Sequence, residues 1–326
     1  MIPLRDIRRQ IQSVRKISHI TRAMKTVSAI RLMKVQQQVL KQKPYATKLR
    51  EVVADLVART AGAAHPMFMP KAGSQIPNPK SKIQNPDVGR KPIVVLALGS
   101  DRGLCGAFNN SLVFEIEHFL TRHQFRSPQP SSSPGRGREG KEEGEGRQVV
   151  QLTVVGKRLR DLARSKRVPV AHDMIGFWLD LTYEKVIQLA TGYRDDYLAG
   201  RIAELWMIYT EFKSSARQAV TAEQVLPIGA EKLPAEPLFP EYTYEPDAFT
   251  VLDSVLPLYY NREMWRIFLE SVASEHMARM RAMDMATVNA HEMIRDLTLT
   301  LNKARQEIIT RELAEISSAA EALRGE

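Results

Sequence analysis

Two stretches of the chain repeat apolar residues at spacings of three and four with no helix breaker between them. Residues 4–43 contain neither Gly nor Pro, and neither do residues 258–324. In the first, the stripe runs Ile7, Ile11, Val14, Ile17, Met24, Val27, Val35, Val39. In the second it runs Phe268, Val272, Met277, Met280, Met283, Ala290, Ile294, Leu297, Leu301, Ala304, Ile308, Ile316, Leu323. This periodicity predicts the seam between two long helices. At about 1.5 Å per residue, the second helix would reach roughly 100 Å. Thr21, Ala23, Thr287 and Ala304 lie near the stripe, and their small or polar side chains predict a loose seam that leaves room for other contacts.

Between these segments the period changes. Residues 92–98 form a short apolar run rich in β-branched residues, followed by a glycine-punctuated turn and a helical pattern over 110–122. Residues 149–155 read as a second strand and 157–165 as a short helix. Residues 181–198 read as a further helix, and 204–212 with 218–226 as a strand pair turning near Ser214 and Ser215. Strands alternating with helices imply a mostly parallel sheet. The expected fold class is therefore α/β: a long antiparallel two-helix coiled coil from the N- and C-termini, with a central Rossmann-like α/β domain. The expected division is a coiled-coil helix over 1–65, the α/β domain over 66–246, and a second coiled-coil helix over 247–326. The C-terminal helix is the longer, so its last residues, 312–326 with the small Ser317, Ser318, Ala319 and Ala320, are expected to overrun the partner as a single-helix tip. Residues 67–90 and 126–147 are rich in Pro, Ser, Gly and charge, and read as disordered surface insertions.

Composition narrows the function classes. The 326 residues carry a net charge of +10, but its placement matters more than its size. The first 50 residues hold thirteen Lys and Arg against Asp6 alone, so the basic signal belongs to the first helix and calls for an acidic partner. No apolar run approaches the roughly 20 residues of a membrane-spanning helix. The N-terminal segment lacks the apolar core of a secretory signal. A single cysteine, Cys105, allows no intrachain disulfide. The histidines are scattered without metal-ligand spacing, and Met277, Met280, Met283 and Met285 read as packing. Gly99, Gly103 and Gly106, with Asp101 and Arg102 among them, follow a strand and precede a helix. Their spacing matches neither phosphate-binding pattern, so they read as a tight structural turn, with Asp101 and Arg102 placed to contact neighbouring helices or subunits.

Particular residues also carry a family resemblance. Leu4, Arg5, Asp6, Ile7 and Arg8, with Ile20, Thr21, Arg22, Ala23, Met24 and Lys25, resemble the N-terminal helix of gamma subunits of F-type ATP synthases, bacterial type. The run from Ser100 through Asp101, Arg102, Gly103, Leu104, Cys105, Gly106, Ala107 and Phe108 to Asn109 is similar to the loop after that family's first strand. Ser274, Glu275, His276, Met277, Ala278, Arg279, Met280, Arg281, Ala282 and Met283 resemble its C-terminal helix, as do Leu301, Asn302, Lys303, Ala304, Arg305 and Gln306.

The resemblance implies a non-catalytic rotor: an asymmetric central stalk inside a hexamer of alternating alpha and beta subunits, coupling proton flow to ATP synthesis. It further implies a seat on the epsilon subunit and the membrane c-ring, no cofactor and no metal. The expected location is peripheral, on the cytoplasmic side of a bacterial inner membrane, with an organellar membrane as the alternative. By position, Met24, Lys25, Arg279, Arg305, Gln306 and Thr310 correspond to stalk residues that touch the hexamer or couple the helices. Arg311 stands where the family often has Gln, and Glu307 and Ile308 replace smaller residues. Chloroplast gamma subunits carry a paired-cysteine regulatory segment, which a chain with Cys105 alone excludes. Two rival readings come from other classes. A basic helical nucleic-acid-binding protein would show salt-sensitive DNA affinity, although few aromatics interleave the basic residues. A Rossmann-like enzyme would bind nucleotide as the isolated chain.

Overall fold

The computed structural model describes residues 4–60, 65–68, 91–122, 149–212, 218–229 and 242–324. The expected insertion at 126–147 lies outside these residues, as do that at 67–90 beyond Phe68 and the turn near Ser214 and Ser215. The elements are α1 (Leu4–Arg59), β1 (Ile93–Leu98), α2 (Phe108–Arg122), β2 (Val150–Val155), α3 (Lys157–Ser165), β3 (His172–Met174), α4 (Tyr183–Leu198), β4 (Glu204–Phe212), β5 (Gln218–Leu226) and α5 (Ala248–Arg324). The chain divides into two compact units, Arg31–Ala278 and Met1–Ile30 with Arg279–Glu326.

The larger unit is built on a five-stranded sheet of order β3-β2-β1-β4-β5. The first four strands run parallel and β5 returns antiparallel to β4. β1 is buried along its whole length, as a central parallel strand covered on both faces requires. Its residues alternate between two cores. Val94, Leu96 and Leu98 join Leu49, Val53 and Leu56 of α1 and Leu256, Tyr260 and Phe268 of α5. Ile93, Val95 and Ala97 face Leu112, Val113 and Ile116 of α2 and Leu159 of α3. The short strand β3 has no counterpart in the sequence pattern: His172 and Asp173 are exposed polar residues, and only pairing with β2 makes them a strand.

Both long helices run through a proline. Pro44 lies inside α1 and Pro257 inside α5, although an interior proline removes a hydrogen bond and costs about 3 kcal/mol. Burial offsets that cost: Leu256, Tyr259 and Tyr260 flank Pro257, and Leu49, Val53, Ala54 and Leu56 follow Pro44, all in the core. The start of α5 is fixed by Asp247, whose Oδ1 accepts the N–H groups of Phe249 and Thr250 at 2.9 Å while Oδ2 accepts the Thr250 hydroxyl at 2.6 Å. The Thr250 hydroxyl bond leads in holding this carboxyl below its ordinary range.

One half-buried polar cluster ties the β4–β5 hairpin to α5. Arg266 donates to Glu263 (2.7 Å), Glu223 (3.0 Å), Glu270 (3.1 Å) and the Tyr209 hydroxyl (3.2 Å). Three carboxylates share one guanidinium, and Glu270 Oε2 is buried with no donor. Burial raises the Glu270 carboxyl above its ordinary range, opposed by Arg266 and reinforced by Glu211 and Glu223.

The folded chain therefore holds the Glu270 proton more tightly than the unfolded chain. That stabilisation is complete below the unfolded value near 4.5 and is lost as pH rises through the folded value. A Glu270→Gln variant is expected to be blunted in this dependence: its Tm relative to the parent should rise as pH is raised from about 4.5 in calorimetric scans.

Candidate functional site

In the smaller unit, α1 and α5 pack along a heptad seam. The buried and half-buried positions of α1 include 4, 7, 11, 14, 18, 21, 25 and 28, and those of α5 include 280, 283, 287, 290, 294, 297, 301, 304 and 308. These steps alternate between three and four, as knobs-into-holes packing demands. Three side-chain pairs fix the direction as antiparallel: Ser18 with His291 (3.4 Å), Thr21 with Thr287 (2.8 Å) and Lys25 with Asp284 (2.5 Å). Carried on in this register, Ile11 comes opposite Leu297 and Ile7 opposite Leu301.

The seam differs from the sequence stripe by one residue in its middle. Ile17 and Val27 are 51% and 50% exposed, while Ser18, Thr21 and Ser28 are buried. The two alternatives lie about 100° apart on the helix, and the partner selects the polar one. These hydroxyls need no partner across the seam, because Thr21 also reaches Ser18 O (3.0 Å), Thr287 reaches Met283 O (2.8 Å) and Ser28 reaches Met24 O (2.8 Å). Lys25 and Asp284 are 42% and 54% exposed, so their ion pair contributes about 0–1 kcal/mol.

The candidate contact residues fall into two groups. Met24 and Lys25 sit on the seam, half-buried, and Arg279 is buried. Arg305, Gln306 and Thr310 are exposed, about 40 Å along α5 from Arg279. Residues 309–318 are all exposed, and Ile316, expected in the stripe, is 66% exposed. Gln306 and Thr310 line a shallow open recess with Lys303, Glu307, Arg311 and Ala314. Apolar side chains outside the seam, among them Ile20, Ile30, Met285, Val288, Leu299 and Leu313, also face solvent, as an interaction surface would.

The glycine-rich turn occupies the ligand-binding corner of an open α/β sheet, because it leaves β1 where strand order reverses. Its polar groups are turned inward. Asp101 Oδ1 accepts the N–H groups of Lys157 (2.9 Å) and Gly176 (3.3 Å), and so caps α3, whose own N-cap residue is Gly156. The Arg158 N–H donates to Ser100 O (2.9 Å). Asn109 accepts the Ser100 N–H (3.1 Å) and donates to Ser100 Oγ (2.8 Å) and Cys105 Sγ (3.4 Å). A Cβ on Gly99 would stand 2.2 Å from Leu159 Cβ. Gly106 takes the left-handed conformation at φ 58°; Gly103 faces Arg158 without crowding, and Arg102 is exposed. Asn109 and Gly156 are the structural residues that spacing alone did not mark. Among the described residues, no group of three His, Cys, Asp or Glu is placed to hold a metal.

A family model described as ATP synthase matches residues 3–323. The ATP synthase gamma chain of Anaeromyxobacter dehalogenans is 37% identical, covering 99% of this chain and 100% of that protein. The chain belongs to the ATP synthase gamma-chain family. The gamma chain of Chlorobium phaeobacteroides is 33% identical over the full length of both proteins. At lower identity the gamma fold is still shared. The rotor of the Euglena gracilis mitochondrial ATP synthase matches with a TM-score of 0.56 at 15% identity, covering 94% of this chain and 98% of that one. The central stalk and c-ring structure from Tetrahymena thermophila mitochondria matches with a TM-score of 0.51 at 18% identity, covering 82% and 99%.

In this gamma-family chain, two consequences of the geometry are open to measurement. Gly99→Ala is expected to cost about 1–3 kcal/mol in denaturant unfolding because Leu159 has no room to retreat, and Asp101→Ala about 1 kcal/mol through the lost cap. Along the seam, the double variant Thr21→Val with Thr287→Val should gain about 1 kcal/mol, since apolar pairs replace hydroxyls that contribute little net stability.

Proposed function

We propose that the chain is the central-stalk rotor of an F-type ATP synthase, a non-catalytic subunit that transmits rotation between a membrane c-ring and a catalytic hexamer of alpha and beta subunits. The observation that carries this reading is its full-length similarity to gamma chains, joined to the antiparallel α1–α5 seam. In functional terms residues 1–65 and 247–326 form the coiled coil, and residues 66–246 form the α/β domain that seats on the epsilon subunit and c-ring. The stalk is asymmetric because α5 outruns its partner: beyond Ile308 it continues to Arg324, about 24 Å further. Turning such a stalk offers three equivalent catalytic sites three different faces, and each face favours one nucleotide-affinity state.

Within this reading Met24, Lys25 and Arg279 couple the helices, while Arg305, Gln306 and Thr310 meet the hexamer. The half-exposed apolar residues outside the seam provide weak sliding contacts, and Arg305 and Gln306 provide charge-assisted ones that hold dwell positions. Association with the membrane runs through partners, since no helix among the described residues is long and apolar enough to cross it. The cytoplasmic face of a bacterial inner membrane is the favoured location.

Reconstitution tests the proposal. Mixing the chain with alpha and beta subunits should give a complex with ATPase activity that the chain alone lacks, and a chain that neither joins nor activates the hexamer would rule the rotor reading out. In that complex, replacing Arg305 and Gln306 together by Ala should lower turnover about tenfold, a loss of roughly 1.4 kcal/mol of charge-assisted contact, with assembly unchanged by gel filtration.

A further inference from the structure

The larger unit contains a buried cation that forms no ion pair among the described residues. Arg262 of α5 is 9% exposed, and its single hydrogen bond runs from Nη2 to the backbone oxygen of Gln42 on α1, at a long 3.4 Å. Nε and Nη1 are buried with no acceptor. Its sequence neighbour Glu263 is close enough to favour the charge, but its bond goes to Arg266 Nε at 2.7 Å, and it accepts none from Arg262. Two further groups nearby are also unfilled: Gln42 Oε1 and the indole Nε1 of Trp265. Trp265 packs edge-on against the Tyr183 ring at 5.7 Å. Tyr183 and Tyr45 both lie close enough to feel the Arg262 charge, and their side chains are 44% and 56% exposed.

A desolvated guanidinium with open donors is costly unless a counter-charge reaches it. Water can fill a donor's need but supplies no charge. Lys41 and Lys43, both exposed, flank Gln42 on α1 and add positive charge on that side. These conditions favour a carboxylate brought in on an acidic segment and steered by the lysines. The planar guanidinium is suited to a carboxylate in a way that a lysine would not be, and rotation of the Gln42 amide turns its NH2 toward the same ligand.

We propose that Arg262, with Gln42 and Trp265, forms a receptor for a carboxylate side chain on an acidic loop of a partner subunit. The proposal rests on the reading of the chain as one member of a larger assembly.

The purified full-length chain is the material for the test, titrated calorimetrically with a peptide of six glutamates, its six-glutamine counterpart, glutarate and inorganic phosphate. The glutamate peptide should bind saturably, and Arg262→Met should weaken it at least tenfold. The glutamine peptide and both small anions should bind no better than to the variant. Without peptide, Arg262→Met should keep or raise the Tm, because it removes an uncompensated buried charge. An arginine with a purely structural role would instead lower it. Equal binding by the variant, equal binding of the glutamine peptide or the small anions, or a lowered Tm would each overturn the proposal. The Arg262 Nε–H resonance of the parent chain gives a second readout: it should shift on adding the glutamate peptide, and an unmoved signal counts against the site. Reconstitution of ATPase activity by the parent chain separates this proposal from the rotor reading, because a working complex with an indifferent Arg262 would remove only the receptor.

Discussion

The antiparallel register of α1 against α5 is the constraint on which the smaller unit depends. The Thr21–Thr287 contact and its neighbours on either side set which face of each helix is covered. Everything outside that face, including Ile17, Val27 and Met285, is then left to solvent or to partners. A fully apolar seam would hold the helices together more firmly, but here its middle is made of Ser18, Thr21, Lys25 and Ser28. Hydroxyls bonded to their own helix contribute little net energy across the interface. The seam is thus firmest toward Ile7 and Ile11 and weakest in the polar layers, which suits an element whose outer faces must meet changing neighbours.

In the larger unit the equivalent constraint is the close approach of the loop after β1 to the start of α3. Gly99 lets Leu159 pack against backbone, and Gly156 at φ 109° brings Ser100 within reach of the Arg158 amide. Asp101 then serves α3 as a cap from 56 positions away in sequence. A negative group at a helix N-terminus is favoured by the exposed amides there. The same arrangement fills the corner where other α/β proteins admit a nucleotide, so the fold keeps the architecture of a binding domain while its loop is spent on internal bonds.

Buried and half-buried charge is distributed unevenly over α5. Arg266 has an excess of carboxylates and Arg262, one turn earlier, has none free. The two sites are unbalanced in opposite senses: burial and neighbouring carboxylates raise the Glu270 carboxyl above its ordinary range, whereas Arg262 Nε and Nη1 have no acceptor. Both lie where α5 packs on the α/β core, and neither is visible in the charge count of the chain.

Much of this was legible before any coordinates. Freedom from Gly and Pro predicted two long helices, because breakers are what end them, and alternating apolar runs predicted four of the five strands. The loop residues and the family resemblance were also readable, since they lie in contiguous order. Tertiary structure alone decided the rest. It chose Ser18 over Ile17 as the seam residue, since periodicity defines a stripe but only a partner helix selects its centre. It made a strand of His172–Met174, which has no apolar signal of its own. It also left Arg262 unpaired, because whether a buried charge finds its counterpart depends on which distant side chains arrive beside it, and no spacing within the sequence encodes that.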